Sequence, residues 1–334
     1  MGKPEISVVI PCYQASGTLE RAVASVRRQD FTAWELLLVD DGSTDGTGEL
    51  AEALAREDDR IRVLRRAHAG VSAAAKGRFL ARMDADDESR PERLRKQRAF
   101  LEENGDCGLM SSLVNFAGDR TEAGGYARHV DWANACVTPG EIALARFRDL
   151  PVPNPTLMMR REVWERVGPY HEGDFPEDYE WFLRSQALGV RAGKVAELLY
   201  DWHDPPTRLT RNDGRYSPEA FQRVKAPFLA QAIVRAGAGE RDLWLWGAGR
   251  PARKMARFLE EAWKPAKGLI DIDPRKIGQR IAGRPVVSPA NLPGQEEAVI
   301  VSFVGTRGAG EAICEELQGW GRVEGRDFWL AASS

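Results

Sequence analysis

The densest chemistry in the sequence is Arg82-Met83-Asp84-Ala85-Asp86-Asp87, three carboxylates in four residues directly after the apolar pair Phe79-Leu80. Carboxylates so close repel one another unless solvent or a cation relieves them. One or two of them, together with phosphate oxygens of a substrate, make an oxygen set that a divalent ion takes readily. Read alone, the segment serves equally well as a solvated acidic turn. A second acidic group, Asp40-Asp41-Gly42-Ser43, reads by itself as a turn and helix start, with Asp and Ser as caps. A third, Glu177-Asp178-Tyr179-Glu180, falls near the start of a helical pattern spanning 176–188, where the helix dipole favours carboxylates.

The flanking elements place these groups. Ile6 to Ile10 is a short run rich in β-branched residues closed by Pro11, the pattern of a buried parallel strand. Leu19, Ala22, Val23 and Val26 follow at helical spacing behind a cap at Thr18. A strand from Trp34 to Val39 runs into Asp40; a helix with Leu50, Ala51 and Leu54 and a strand from Ile61 to Leu64 come next. Strand-helix alternation predicts a parallel sheet with right-handed crossovers, whose ligands bind at the carboxyl ends of strands. Tyr13, Asp40 and Asp41 stand at those ends. Pro91 opens a helix carrying Leu94 and Leu101, Leu109 to Phe116 reads as a strand, and 119–155 reads as loop-rich. Thr156 to Met159 reads as a strand and Arg161 to Val167 as a helix.

The 334 residues suggest two domains, and a 43% apolar, 29% charged composition is that of a globular protein. A net charge of -3 supplies no basic field for nucleic acid. Four scattered cysteines, Cys12, Cys107, Cys136 and Cys314, lack the spacing of a disulfide framework or zinc site, which points to a reducing, cytoplasmic setting. No run reaches the ~20 apolar residues of a membrane span. Peripheral association with the inner membrane face is left open, as is the oligomeric state.

The three acidic groups occur in order with Val8-Val9-Ile10-Pro11-Cys12-Tyr13 and Gly70-Val71-Ser72-Ala73-Ala74. Over roughly residues 4–210 the set resembles family 2 glycosyltransferases, inverting enzymes of the GT-A fold. The resemblance implies an α/β fold with a mainly parallel, nucleotide-sugar-binding sheet. It also implies transfer of a sugar from a nucleoside diphosphate sugar, UDP-type favoured, to a saccharide or lipid-linked acceptor. Pro11 and Tyr13 would begin the pocket for the base. Asp40 and Asp41 would hold base and ribose. Asp84 would stand near the ribose, and Asp86 would reach Mg2+ or Mn2+ on the diphosphate. Asp178 would be the general base, with Glu177 as its substitute. His203 resembles a histidine that approaches metal or diphosphate, and Arg208 and Arg211 would close over the phosphates. Trp181 and Trp202 suit either sugar stacking or core packing.

One stretch departs from the family. Between Gly70 and Asp84 about ten residues and an arginine of the usual pattern are missing, leaving Lys76 or Arg78 as candidates to replace it. A catalytically degraded nucleotide-sugar-binding or regulatory module is therefore the alternative reading.

After Ala236-Gly237-Ala238-Gly239-Glu240, which reads as a linker, strand-helix alternation restarts at Leu243. The expected division is a GT-A domain over 1–235 and a small Rossmann-like domain over 240–334. Gly247-Ala248-Gly249 resembles a dinucleotide-binding turn, with Asp271 where a ribose-binding acid belongs. NAD or another nucleotide there is the lesser expectation and a scaffolding, regulatory or dimerising role the greater; a bifunctional chain is a further alternative.

Overall fold

The computed structural model describes residues 3–65, 74–204 and 213–332. Two compact units divide the chain, one made of 1–143, 151–170 and 188–211, the other of 144–150, 171–187 and 212–334.

The first unit is built on β1 Ile6–Cys12, β2 Trp34–Asp40, β3 Ile61–Arg65, β4 Phe79–Arg82, β5 Glu88–Ser89, β6 Cys107–Phe116, β7 Met158–Arg160 and β8 Arg191–Trp202. Their order across the sheet is β3-β2-β1-β4-β7-β6-β8-β5. β1, β2, β3 and β4 run parallel, and β7 enters antiparallel between β4 and β6. Every residue of β2 is buried, as a central parallel strand covered on both faces requires. On one side of the sheet the helix Leu19–Arg27 buries Leu19, Ala22, Val23 and Val26, and Ala51 and Leu54 of the helix Thr47–Glu57 join the same core. Removing a leucine from water in this way is worth about 1.5–3 kcal/mol.

The order reverses at β1, which has β2 on one side and β4 on the other. Such a switch point opens a crevice at the carboxyl ends of the strands. Cys12 lies opposite Asp40 in the register, and the Met83 amide donates to Val9 O at 3.1 Å just beyond β4. The chain after β1 is thereby bracketed by Asp40-Asp41 and by the Asp84 turn.

The stretch 119–155 is not the loop-rich region expected. It holds the helices Gly124–Ala135 and Pro139–Ala145. The inner face of the first is Ala127, Val130 and Ala133, mostly alanine, so its hydrophobic periodicity is faint although its packing is sound.

The second unit holds β9 Asp242–Trp246, β10 Gly268–Ile270, β11 Arg280–Ile281, β12 Arg284–Val287, β13 Ala298–Ser302 and β14 Phe328–Leu330, in the order β11-β12-β10-β9-β13-β14. All pairings are parallel except the β11–β12 hairpin. Tyr179 and Leu183 of the helix Glu177–Ala187, and Leu229 and Ile233 of the helix Pro218–Ile233, share one core with Leu243, Leu245, Leu269, Val299 and Trp329. The unit therefore begins well before 240. Residues 236–240 are not a linker between domains: the chain runs on from Ile233, turns left-handed at Gly237 (φ 79°) and buries Ala238. Lys225, fully sequestered, donates to Phe147 O at 2.8 Å, Ala331 O at 2.8 Å and Arg148 O at 3.4 Å, tying 144–150 and the chain's end to this core. Among the described residues no helix is long and apolar enough to cross a membrane.

Candidate active site

Two loops meet at the carboxyl end of β1 and β2. Pro11 lies within β1, which runs one residue past it, and Tyr13 follows, 63% exposed. Gln14 takes a left-handed conformation (φ 51°), accepted because its amide donates to Ser43 Oγ at 3.1 Å while its side chain exchanges hydrogen bonds with Thr44. The Ala15 amide donates to Thr47 Oγ1 and the Ser16 amide to Asp45 Oδ2 at 3.0 Å. Hydrogen bonds from Thr47 and Ser16 hold the Asp45 carboxyl far below the usual range. Asp45 closes the acidic run that begins at Asp40, whereas Gln14 and Thr47 carry no motif of their own.

Asp40 is buried, and its Oδ1 accepts from the Ser43 amide at 3.0 Å, the local turn that the Asp-Ser spacing suggests. Burial, with the Asp40 charge beside it, pushes the Cys12 thiol up to about 12, so Cys12 is inert here. Asp41 is exposed, and its amide donates to Cys12 O at 3.1 Å.

Beyond β4, burial alternates. Met83, Ala85, Asp87 and Ser89 are buried, whereas Asp84, Asp86 and Glu88 are partly open to solvent. One ligand oxygen from each of Asp84, Asp86 and Asp87 falls within 4.8 Å of the others. The three differ in their surroundings. Asp87 is fully buried and accepts from Tyr200 OH at 2.9 Å and from the His203 amide at 2.8 Å. Asp84 receives Arg82 at 3.0 Å, and Arg21 donates to the carbonyl of Asp86 at 2.6 Å. The His203 ring nitrogen Nε2 stands 3.2 Å from Glu88 Oε1, so the ring is turned to Glu88 and is not grouped with the three carboxylates.

Beneath the turn lies Arg93, fully buried, the residue that sequence reasoning misses most completely. Its guanidinium donates to Arg82 O at 2.6 Å, Pro155 O at 3.1 Å, Ser89 Oγ at 2.8 Å and Gln97 Oε1 at 3.0 Å, and it stacks on Tyr200 at 4.9 Å. Burial draws its pKa down to about 10, against the pull of Tyr200, Asp87 and Asp84. An arginine beside Leu94 on an amphipathic helix is read as surface; only the acidic turn above it hints at a buried cation.

Lys76 and Arg78, the candidates to replace the missing arginine, both stand at the amino end of β4. The Lys76 amide bonds Ser7 Oγ and Glu35 Oε1, and Arg78 pairs with Glu102 at 3.3 Å, all at the amino end of β4. Six residues of extended chain, about 20 Å, separate Arg78 from Asp84. Gly70-Val71-Ser72-Ala73, Arg208 and Arg211 lie outside the described residues. Trp181 and Trp202 are 0% and 8% exposed, which places both in packing.

In the second unit, Glu177 and Asp178 open their helix. Tyr216 OH lies 3.2 Å from each Glu177 oxygen, and Asp178 Oδ1 accepts from the Tyr179 amide at 2.7 Å. At the glycine turn, Gly247 has φ 112°, and a Cβ there would meet Ala252 and Val304 at 2.8 Å. Gly249 caps the helix Arg250–Ala262. Asp271 Oδ2 accepts from the Ala248 amide at 3.0 Å and Lys276 at 2.9 Å, and Oδ1 from the Asp273 amide at 2.9 Å. Both its oxygens are thus engaged in bracing the turn.

A mainly parallel sheet whose switch-point crevice is rimmed by Asp40-Asp41 and by an Asp-x-Asp turn is the GT-A fold, and the matches that follow make the protein a glycosyltransferase. Residues 7–168 match the model of glycosyl transferase family 2. The provisionally assigned glycosyltransferase EpsE of Bacillus subtilis is 29% identical over 258 residues, 70% of this chain and 89% of its own. The provisionally assigned teichuronic acid biosynthesis glycosyltransferase TuaG of the same organism is 37% identical over 109 residues, 30% of this chain and 43% of its own. Among solved structures, S. aureus TarS 1-349 in complex with UDP-GlcNAc superposes with a TM-score of 0.52 at 20% identity, covering 77% of this chain and 71% of that one.

Proposed function

We propose that the protein is a metal-dependent, inverting transferase that moves a sugar from a nucleoside diphosphate sugar to a hydroxyl of a saccharide or lipid-linked acceptor. The observation that carries this reading is the Asp84-Asp86-Asp87 cluster beyond the carboxyl end of β4, with β1 between it and the Asp40-Asp41 turn at the end of β2. Its residues fit a cation. Asp87 is tied to Tyr200 and His203, while Asp84 and Asp86 face outward and would hold the ion with the diphosphate oxygens. A divalent ion bound there would offset the charge gathering on the departing diphosphate.

Asp40 and Asp41 present carboxylates to the nucleoside, which suits the N–H edge of uracil and favours a UDP-type donor; TarS carries UDP-GlcNAc. Exposed Tyr13 offers a ring for the base. Asp178 accepts the proton of the acceptor hydroxyl as it attacks the anomeric carbon opposite the leaving group. The name of TuaG, a teichuronic acid biosynthesis glycosyltransferase, favours a saccharide acceptor. The second unit serves as scaffold rather than as a dinucleotide site, a role supported by the inward engagement of Asp271.

The test is thermal stability against a panel of nucleoside diphosphates with Mn2+ or Mg2+ and again with chelator. A ligand at 100 times its Kd adds about 2.7 kcal/mol, readily seen. A metal-dependent shift with UDP is expected. No shift with any nucleotide would overturn the donor-site reading and favour a degraded module.

A further inference from the structure

Glu177 and Asp178 are neighbours on one helix, and at 3.6 residues per turn their side chains diverge by roughly 100°. They cannot serve one proton alike, and Tyr216 separates their roles. Its hydroxyl reaches both oxygens of Glu177. Tyr216 ends the short turn Gly214–Tyr216, which is itself fixed on either side. Asp213 takes the Arg215 amide at 2.9 Å and its guanidinium at 2.7 Å, and Ser217 caps the next helix through the Ala220 amide at 3.3 Å. That helix packs on Glu177–Ala187, with the Phe221 ring 5.3 Å from that of Tyr179. Burial, with Glu177 and Asp178 nearby, pushes the Tyr216 hydroxyl well above the usual tyrosine range, so it retains the proton it donates.

We propose that Tyr216 is a positioning residue for transfer: by donating to Glu177 it withdraws that carboxylate from competition for the acceptor proton and leaves the task to Asp178. The inference rests on the reading of Asp178 as general base.

Steady-state kinetics of the full chain test it with four variants: Tyr216→Phe, Glu177→Gln, the double variant, and Asp178→Asn. Tyr216→Phe should lower kcat about tenfold, the equivalent of one hydrogen bond, with the donor KM held within about twofold. Glu177→Gln should lower kcat by much less than Asp178→Asn does. It should also rescue Tyr216→Phe, since no stray charge then stands beside Asp178. A purely structural tyrosine would show no such rescue. Unchanged kcat in Tyr216→Phe, or losses that multiply in the double variant, would overturn the proposal while a dead Asp178→Asn leaves the base reading standing. Full turnover in Asp178→Asn would bring down the base reading and this inference with it. If Tyr216→Phe folds poorly, Glu177→Gln still decides, because a loss as deep as that of Asp178→Asn overturns the division of roles.

Discussion

Tyr200 OH donates to Asp87 Oδ2 at 2.9 Å and accepts from the Asp84 amide at 3.2 Å, so one phenol on β8 pins both ends of the acidic turn. Burial and the charges of Asp87 and Asp84 push its pKa well above the usual range, which preserves the donor. Tyr200→Phe should cost about 1–3 kcal/mol, the penalty of removing one partner from a buried polar pair. Urea unfolding measures that loss, and metal-dependent nucleotide binding should weaken in parallel.

Asp86 and Asp87 should respond in opposite ways to the same change. Asp86→Asn should abolish the metal-dependent shift with nucleotide while moving stability by no more than about 0.5 kcal/mol, as for a substitution outside the core. Asp87→Asn should lose about 1–3 kcal/mol of stability, because Asp87 accepts from Tyr200 and the His203 amide. Calorimetric titration of Mn2+ and nucleotide, beside urea unfolding, separates the two.

Arg93→Met should be among the most damaging single changes in the first unit. It strips donors from two carbonyls, Ser89 and Gln97, and removes the buried cation beneath the turn. Breaking a buried charged network costs about 3–5 kcal/mol. Chemical denaturation of the variant, or its failure to accumulate folded, is the readout.

Lys225 makes the second unit sensitive to pH. Burial draws its amine down to about 8, against 10.5 for an ordinary lysine. Between those values the unfolded chain binds more protons, so stability rises with pH across that window, and the cost of the buried charge is fully present below it. The unfolding free energy of the parent relative to Lys225→Met should therefore shift in favour of the parent between pH 8 and about 10. Lys194, drawn down to about 8 by its own burial, offers the same measurement in the first unit.

Truncation after residue 239 should leave an aggregating product rather than a working transferase. It removes β9, β13 and β14, against which Tyr179, Leu183 and Leu229 are buried. Circular dichroism and light scattering of the 1–239 fragment check this. The complementary 240–334 fragment, stripped of the helix Pro218–Ile233, should fare no better.

Much of the frame was legible in advance because β-branched runs and acidic turns are local signals. β1, β2, β3, β9 and β13 lie where the periodicity placed them, and Asp40 and Asp41 stand at the end of β2 as the alternation of elements required. What escaped has a physical reason in each case. The helix Pro139–Ala145 announces itself through a capping box, Thr138 and Glu141, with Thr138 N donating to Glu141 at 2.9 Å, yet the surrounding alanines and glycines masked it. Arg93 and Tyr200 stand far apart in the sequence, so nothing near either one foretells that they meet. Glycines at 237 and 239 look like a linker, although Gly237 merely ends a helix whose core partners lie on both sides of it.

The chain enters the second unit at 144, leaves it at 151, re-enters at 171, leaves at 188 and returns finally at 212. On the ribosome this weave imposes a delay. Tyr179 and Leu183 emerge long before Leu243, Val299 and Trp329, the side chains that will cover them. At ordinary elongation rates the interval is on the order of ten seconds, ample time for an uncovered apolar face to find a wrong partner. The nascent chain must be kept soluble through that interval, and the helix that carries Asp178 reaches its final packing only once β14 has been made.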